Sequence, residues 1–190
     1  MNYNRDVFIE QMVKKDFSGK DALTLLGIGA GGAVIILLGI LAFLISGNFA
    51  IAFFGVVIAI AGCIFLGSKL LLEFEYTFTN GDLSIDKIMN RRSRKRLTSF
   101  DCKEVQDFGK YLPKASELKT RRVDKRIYAS KNLKSEAAYY LIVKSRKTGL
   151  TLLVFDPDEK TYEAMKQFFP REIKMQLMSE EQSRKYSKEA

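Results

Sequence analysis

Four groups of residues in this chain have the types and spacing that chemistry would need. Gly27-Ile28-Gly29-Ala30-Gly31-Gly32 fits G-x-G-x-x-G, the glycine pattern that lets a backbone approach a pyrophosphate. Asp101, Glu104 and Asp107 bring three carboxylates into one short stretch, the raw material for acid–base work. Cys63 and Cys102 are the only thiols. Three basic clusters could hold anions: Arg91, Arg92, Arg94, Lys95 and Arg96; Lys119, Arg121, Arg122, Lys125 and Arg126; and Lys144, Arg146 and Lys147.

Context removes most of these. The glycine pattern follows no strand and lies inside a long apolar run. About twenty residues on stands Ala52 rather than the acid that would bind a ribose. The three carboxylates read as solvent-facing strand and turn residues. The chain has no histidine, which excludes Ser-His-Asp and Cys-His catalysis and histidine metal sites. One thiol falls in the apolar run and the other in the polar part. A disulfide is therefore not expected, and two thiols without histidine do not close a zinc site. The expectation is no enzyme, no cofactor and no metal. Nucleic acid is not expected as a partner: there is no recognition-helix pattern, and acids are interspersed among the bases.

The elements that carry these residues fall into two materials. From Ala22 to Ser68 no charged residue occurs. That run is too long for one membrane span and suits two, at about 22–45 and 49–68. They would be roughly 36 and 30 Å long, against a hydrocarbon core of about 30 Å. Ser46-Gly47-Asn48 supplies the turn. Arg5, Lys14, Lys15, Lys20 and Lys69 flank the spans and the turn has no Lys or Arg. Both termini are therefore expected in the cytoplasm of a multi-pass cell-membrane protein. A cleaved signal peptide, with Ala50-Ile51-Ala52 as its lookalike site, fits less well because apolar sequence continues on both sides of it. Gly27 and Gly31 on one span, and Gly55, Ala59, Cys63 and Gly67 on the other, form small-residue ladders for helix packing. The ladders serve either the hairpin itself or a homo-oligomer. Before the hairpin, residues 1–21 form an amphipathic segment: Phe8/Met12 and Ile9/Val13 are i, i+4 pairs and predict a short helix over Val7–Val13.

Residues 73–171 read as a soluble domain carrying most of the net charge of +9. Phe74, Tyr76 and Phe78 alternate with polar residues as in a half-buried strand, and Asn80-Gly81 is a hairpin turn. Its partner runs through Leu83, Ile85 and Ile88. Further strands are expected near Lys95–Phe100, Val105–Phe108, Arg126–Ala129, Tyr139–Lys144 and Leu150–Phe155. Lys147-Thr148-Gly149 makes the last turn, and a basic excursion spans Lys110–Lys125. Asp156 as N-cap, Pro157 and Glu159 open a helix. Its face of Tyr162, Met165, Phe168 and Phe169 should plug the sheet. Residues 172–190 read as a polar tail with a weak helical piece and no fixed structure beyond Ser179.

Seven strands and a capping helix make an α+β membrane protein with a pleckstrin-homology-like antiparallel β-roll, a generic β-roll being the alternative. Tyr76–Asp86 followed by a basic stretch resembles the opening hairpin of bacterial pleckstrin-homology-like membrane proteins. Asp6–Lys15, the apolar hairpin and Phe168-Phe169-Pro170-Arg171 together resemble an uncharacterised two-span family of Gram-positive bacteria. The resemblance implies a cytoplasmic domain on a membrane hairpin and carries no activity with it. The basic excess then points to anionic lipid headgroups, with Arg91, Arg92, Arg94, Lys95 and Arg96 as the contact residues. The functional expectation is a non-catalytic membrane-surface scaffold with an unidentified protein partner. An accessory subunit of an integral-membrane complex is the second reading.

Overall fold

The computed structural model describes residues 7–90, 92–145 and 149–189, which form two compact units. One comprises Asp16–Leu72 with the described residues of Met89–Ser93; the other contains the rest.

In the first unit, α1 (Gly19–Ser46) and α2 (Phe49–Ser68) pack as a hairpin. Both are long and apolar enough to cross a membrane. Ser18 starts α1 through a capping box with Asp21. Gly47 ends it at φ 68°, a left-handed conformation that suits glycine, and its N–H donates to the Phe43 carbonyl. Asn48 then caps α2, its side chain accepting from the Ala50 N–H.

Among the described residues the second unit has eight strands in two four-stranded sheets, one more strand than expected. The first sheet runs in the order β1 (Phe8–Lys14), β2 (Leu72–Thr79), β3 (Asp82–Met89), β4 (Ser93–Asp101). The extra strand is β1, where a short helix was expected. It pairs antiparallel with β2, from Phe8 opposite Thr79 to Lys14 opposite Glu73. The stretch satisfies two periods at once. Pairing decides for the strand, because alternation turns Ile9, Gln11 and Val13 inward and leaves Phe8 and Met12 on the outer face, 64% and 54% exposed. The apolar hairpin is thus an insertion between two paired strands. The folded domain draws on residues before the hairpin as well as after it, and residues 73–171 alone omit an edge strand.

The second sheet runs in the order β5 (Val105–Lys110), β7 (Tyr139–Ser145), β8 (Gly149–Phe155), β6 (Lys125–Tyr128). β6 lies parallel to β8, so the roll is not wholly antiparallel. The expected turn residues Lys147 and Thr148 lie outside the described residues. The basic excursion contains a helix, α3 (Tyr111–Thr120), which covers the outer face of this sheet. Tyr140, Ile142, Leu152 and Val154 pack with Tyr111 and Leu118 on that side. Leu141, Val143, Leu153 and Phe155 face the main core on the other. Burial on both faces is why β7 and β8 read as nearly continuous apolar runs.

Helix α4 (Glu159–Phe168) starts two residues later than the expected N-cap implies. Its N-cap is Asp158, which accepts from the Thr161 N–H, because Asp156 is engaged by the Ser130 hydroxyl and the Lys131 N–H. Met165 and Phe169 are the fully buried plug. Phe168 is partly buried and packs edge-on against Phe78 at 5.6 Å, over the Asn80-Gly81 turn. The tail expected to be largely unstructured is α5 (Arg171–Glu189). Ile173 and Leu177, one helical turn apart, are buried in the main core and hold it there.

Candidate functional site

The cluster expected to contact lipid spans the β3–β4 turn, and its members have different surroundings. Asn90 takes a positive φ of 50°, which asparagine tolerates, and its N–H donates to the Leu71 carbonyl at 3.1 Å. Leu71 lies three residues past the end of α2. The Arg92 N–H closes the turn onto the Met89 carbonyl at 3.2 Å, leaving the Arg92 side chain exposed. Two more cations belong to the same unit. Lys69, at the C-cap of α2, has its Nζ 4.4 Å from the centre of the Phe65 ring, and Lys20 is exposed in the first turn of α1. Arg91 lies outside the described residues.

On β4 the arginines are paired. Arg94 Nη2 lies 3.1 Å from Glu75 Oε1 and 2.8 Å from Oε2. Arg96 grips both oxygens of Asp86, at 2.6 and 3.1 Å. Glu75 and Asp86 are buried, whereas the two arginines remain more than half exposed. Lys95, between them in sequence, is exposed. Arg96 holds the Asp86 carboxyl below its ordinary range, chiefly through their hydrogen bond. The Glu75 carboxyl is raised, first by burial and then by a hydrogen bond with Glu10, against the opposing pull of Arg94.

The second basic cluster is largely engaged in holding the fold. Arg121 pairs with Asp107 at 2.8 Å. Arg126 donates to the carbonyls of Lys119 and Arg121 at the end of α3, satisfying groups a helix terminus leaves open. Lys125 reaches the Leu97 carbonyl. Lys119 and Arg122 point to solvent. In the third cluster Lys144 is exposed, and Arg146 and Lys147 lie outside the described residues.

The three spaced carboxylates do not converge. Asp101 caps the short 3-10 turn Cys102–Glu104 by accepting from the Lys103 N–H, and Glu104 is exposed. Asp107 accepts from the Tyr140 hydroxyl at 2.9 Å as well as from Arg121. The Tyr140 hydroxyl also accepts from Lys114 Nζ, and burial pushes its acidity far down. Cys102 is wholly buried, and desolvation pushes its thiol up to about 12, the setting of an unreactive packing residue.

In the helical hairpin the closest approaches involve Gly32 and Gly39 of α1. A Cβ on Gly32 would come within 2.7 Å of Cys63 Sγ, and Gly39 meets the backbone of Ala52 and Gly55. Ala59 is buried, Cys63 donates to the Ile28 carbonyl at 3.6 Å, and Gly67 faces Leu25. A Cβ on Gly27 or Gly31 would meet nothing within 4 Å; both line an open groove of about 540 Å³ with Thr24, Ile28, Gly62 and Leu66. The contact stripe Ile28, Gly32, Gly39 follows heptad-like spacing, which rotates Gly27 and Gly31 off the seam.

Sequence reasoning missed Glu75 and Asp86, the two buried acids that engage the β4 arginines. The available signal was an acid at a sheet position on β2 and on β3, followed by a strand with basic residues at alternate places. Recognising the pairs needed the register between strands.

Comparison with curated proteins and with solved structures finds no match. A family described as Bacterial PH-like domain (DUF6106) matches residues 5–175, from β1 through both apolar helices and the later strands to the first residues of α5. Over that span the order of elements is a pleckstrin-homology-like domain entered through a strand that precedes a two-helix insertion, and the chain belongs to this bacterial PH-like family.

Proposed function

We propose that the protein is a non-catalytic integral membrane module. Its hairpin anchors the PH-like domain at the inner surface of the cell membrane, with both termini cytoplasmic, and the cations near the ends of the apolar helices contact anionic lipid headgroups. The surface that remains presents the domain to a protein partner. The observation that carries this reading is the hydrogen bond from the Asn90 N–H to the Leu71 carbonyl. It ties the turn bearing Arg92 to the chain just past α2, where a headgroup layer would begin. A juxtamembrane Lys or Arg near an anionic leaflet is worth about 1 kcal/mol.

The contact set differs from the five-residue cluster of the sequence. Arg94 and Arg96 are already paired with buried carboxylates, so a headgroup has to compete for them. Arg92 and Lys95 have exposed side chains, and Lys20 and Lys69 join them as candidates.

The test is covalent footprinting of the full chain in lipid nanodiscs. Modification of Lys20, Lys69, Lys95 and Arg92 should slow in anionic discs relative to zwitterionic ones, and recover as salt is raised, while the exposed Lys160 stays unchanged. Equal rates in both discs would remove the lipid reading. A stoichiometric integral-membrane partner in a detergent pull-down would then favour the accessory-subunit reading.

A further inference from the structure

Among the described residues β1 is an end strand of its sheet, with β2 on one side and no strand on the other. All seven of its residues pair with β2 in unbroken register. The Asn80 N–H donates to the Val7 carbonyl. Antiparallel alternation then turns the backbone groups of Val7, Ile9, Gln11 and Val13 toward β2, and those of Phe8, Glu10, Met12 and Lys14 toward the open edge. The same four residues carry their side chains on the outer face, where all are exposed. A regular edge with an exposed Phe and Met is a template for another strand, and proteins commonly blunt such an edge with a bulge, a proline or a cover.

The residues of the edge select what pairs with it. An acid and a base stand four residues apart, with Met12 midway between them. When two copies pair antiparallel about Met12, Glu10 of each falls opposite Lys14 of the other, and Met12 meets Met12. The backbone groups that bond in this register belong to Glu10, Met12 and Lys14, which already face the open edge. Centring the pair on Gln11 sets Glu10 against Met12 and Phe8 against Lys14. Centring it on Glu10 sets acid against acid. Of the three registers, the one about Met12 matches charge.

We propose that β1 is a homodimer interface: the open edges of two copies pair antiparallel about Met12 and join their four-stranded sheets into one, with a Glu10–Lys14 ion pair on each side of the two-fold axis. The interface is the same patch on both copies, so pairing closes at two. The two Lys14 residues then lie four strand positions apart, about 13 Å. Residues 15–18 give each copy a reach of about 13 Å before α1 begins, so both hairpins can enter one bilayer. The pairing stands whether or not the cations near the hairpin meet lipid.

The test is cysteine cross-linking of the full chain in cell membranes, in a Cys63→Ala, Cys102→Ala background. Opposite Cα atoms in the paired edge are about 5.5 Å apart, within disulfide range. Met12→Cys should therefore join two copies under mild oxidation. Phe8→Cys should not, because the two Phe8 positions lie eight residues apart along the seam, about 26 Å. Glu10→Lys and Lys14→Glu should each lower the Met12→Cys dimer several-fold. Co-expressing the two variants should restore it, since every charged pair across the seam is then Lys with Glu. Hydrogen exchange of the inward β1 amides checks that each variant keeps β1 on β2. No Met12→Cys dimer, equal yields from Met12→Cys and Phe8→Cys, or an unchanged yield in both charge variants would overturn the proposal. So would a failure to recover on co-expression when both variants keep β1 protected. If a variant loses that protection, the comparison of Met12→Cys with Phe8→Cys decides.

Discussion

Glu75 and Asp86 stand on adjacent strands of one sheet, each bound by an arginine of β4, and their carboxyls are displaced in opposite directions. The difference lies in their partners. Asp86 has both oxygens in the fork of Arg96, which favours its charged form. Glu75 has a share of one Arg94 nitrogen and a second carboxyl beside it, and burial prevails.

The Asp86–Arg96 pair should stabilise the domain at neutral pH and fail in acid. Its carboxyl is depressed when folded, so its contribution is complete above the unfolded value and is lost as pH falls through the folded one. Arg96→Gln should cost about 1–3 kcal/mol, because it strands a buried acid. Asp86→Asn should cost less, since Arg96 is more than half exposed and can turn to water. Thermal unfolding across pH reads both; equal losses from the two variants would contradict the account.

The plug of α4 separates Phe169 from Phe168. Phe169 is 3% exposed and touches Phe108 at 4.9 Å between ring centres, so Phe169→Ala should cost about 3–5 kcal/mol. Phe168→Ala should cost less. Gly81→Ala should be costly despite the small change. Its φ is 102°, and the new Cβ would come within 2.8 Å of the Phe168 ring. In Phe168→Ala the clash disappears and only backbone strain remains, so the double variant should lose less than the sum of the two singles. Strict additivity would show that the two residues do not meet.

Gln11 fastens β1 to the start of α4. Its amide donates to the Asp156 carbonyl at 2.8 Å and accepts from the Asp158 N–H at 2.9 Å and the Thr161 hydroxyl at 3.2 Å. Gln11→Leu removes three bonds at once and should cost about 1–3 kcal/mol. Deleting residues 1–15 should destabilise the domain more, as it exposes the β2 edge and removes Val13 from the core. A melting temperature unchanged by that deletion would show that β1 is not part of the folded unit.

In the hairpin, Gly32→Leu should disrupt pairing of the two helices, since even a Cβ there meets Cys63 at 2.7 Å. Gly31→Leu, facing the open groove, should leave the hairpin intact. Disulfide trapping between cysteines placed at Gly39 and Gly55 reports the pairing. Equal trapping in both variants would place the seam elsewhere.

Much of this fold is legible in the sequence. Loss of charge across the apolar run located both long helices, and Asn80-Gly81 with its flanking alternation located β2 and β3. β1 was not legible as a strand because Phe8/Met12 and Ile9/Val13 suit a helix as well as Val7, Ile9 and Val13 suit a strand; only the β2 edge breaks the tie. α5 was masked by its polar composition, although Ile173 and Leu177 carried the helical spacing. The pairing of Arg94 and Arg96 depends on side chains brought together by strand register, which local pattern does not contain.

The central claim, a domain held at the inner face of the membrane by a hairpin inserted between its first two strands, is tested most directly by thiol labelling in intact cells. In a Cys63→Ala, Cys102→Ala background, single cysteines are placed at Asn48, in the turn between the helices, and at Lys160, on the exposed side of α4. An impermeant reagent should label the Asn48→Cys chain in intact cells and the Lys160→Cys chain only after permeabilisation. Labelling of Lys160→Cys in intact cells would contradict the account.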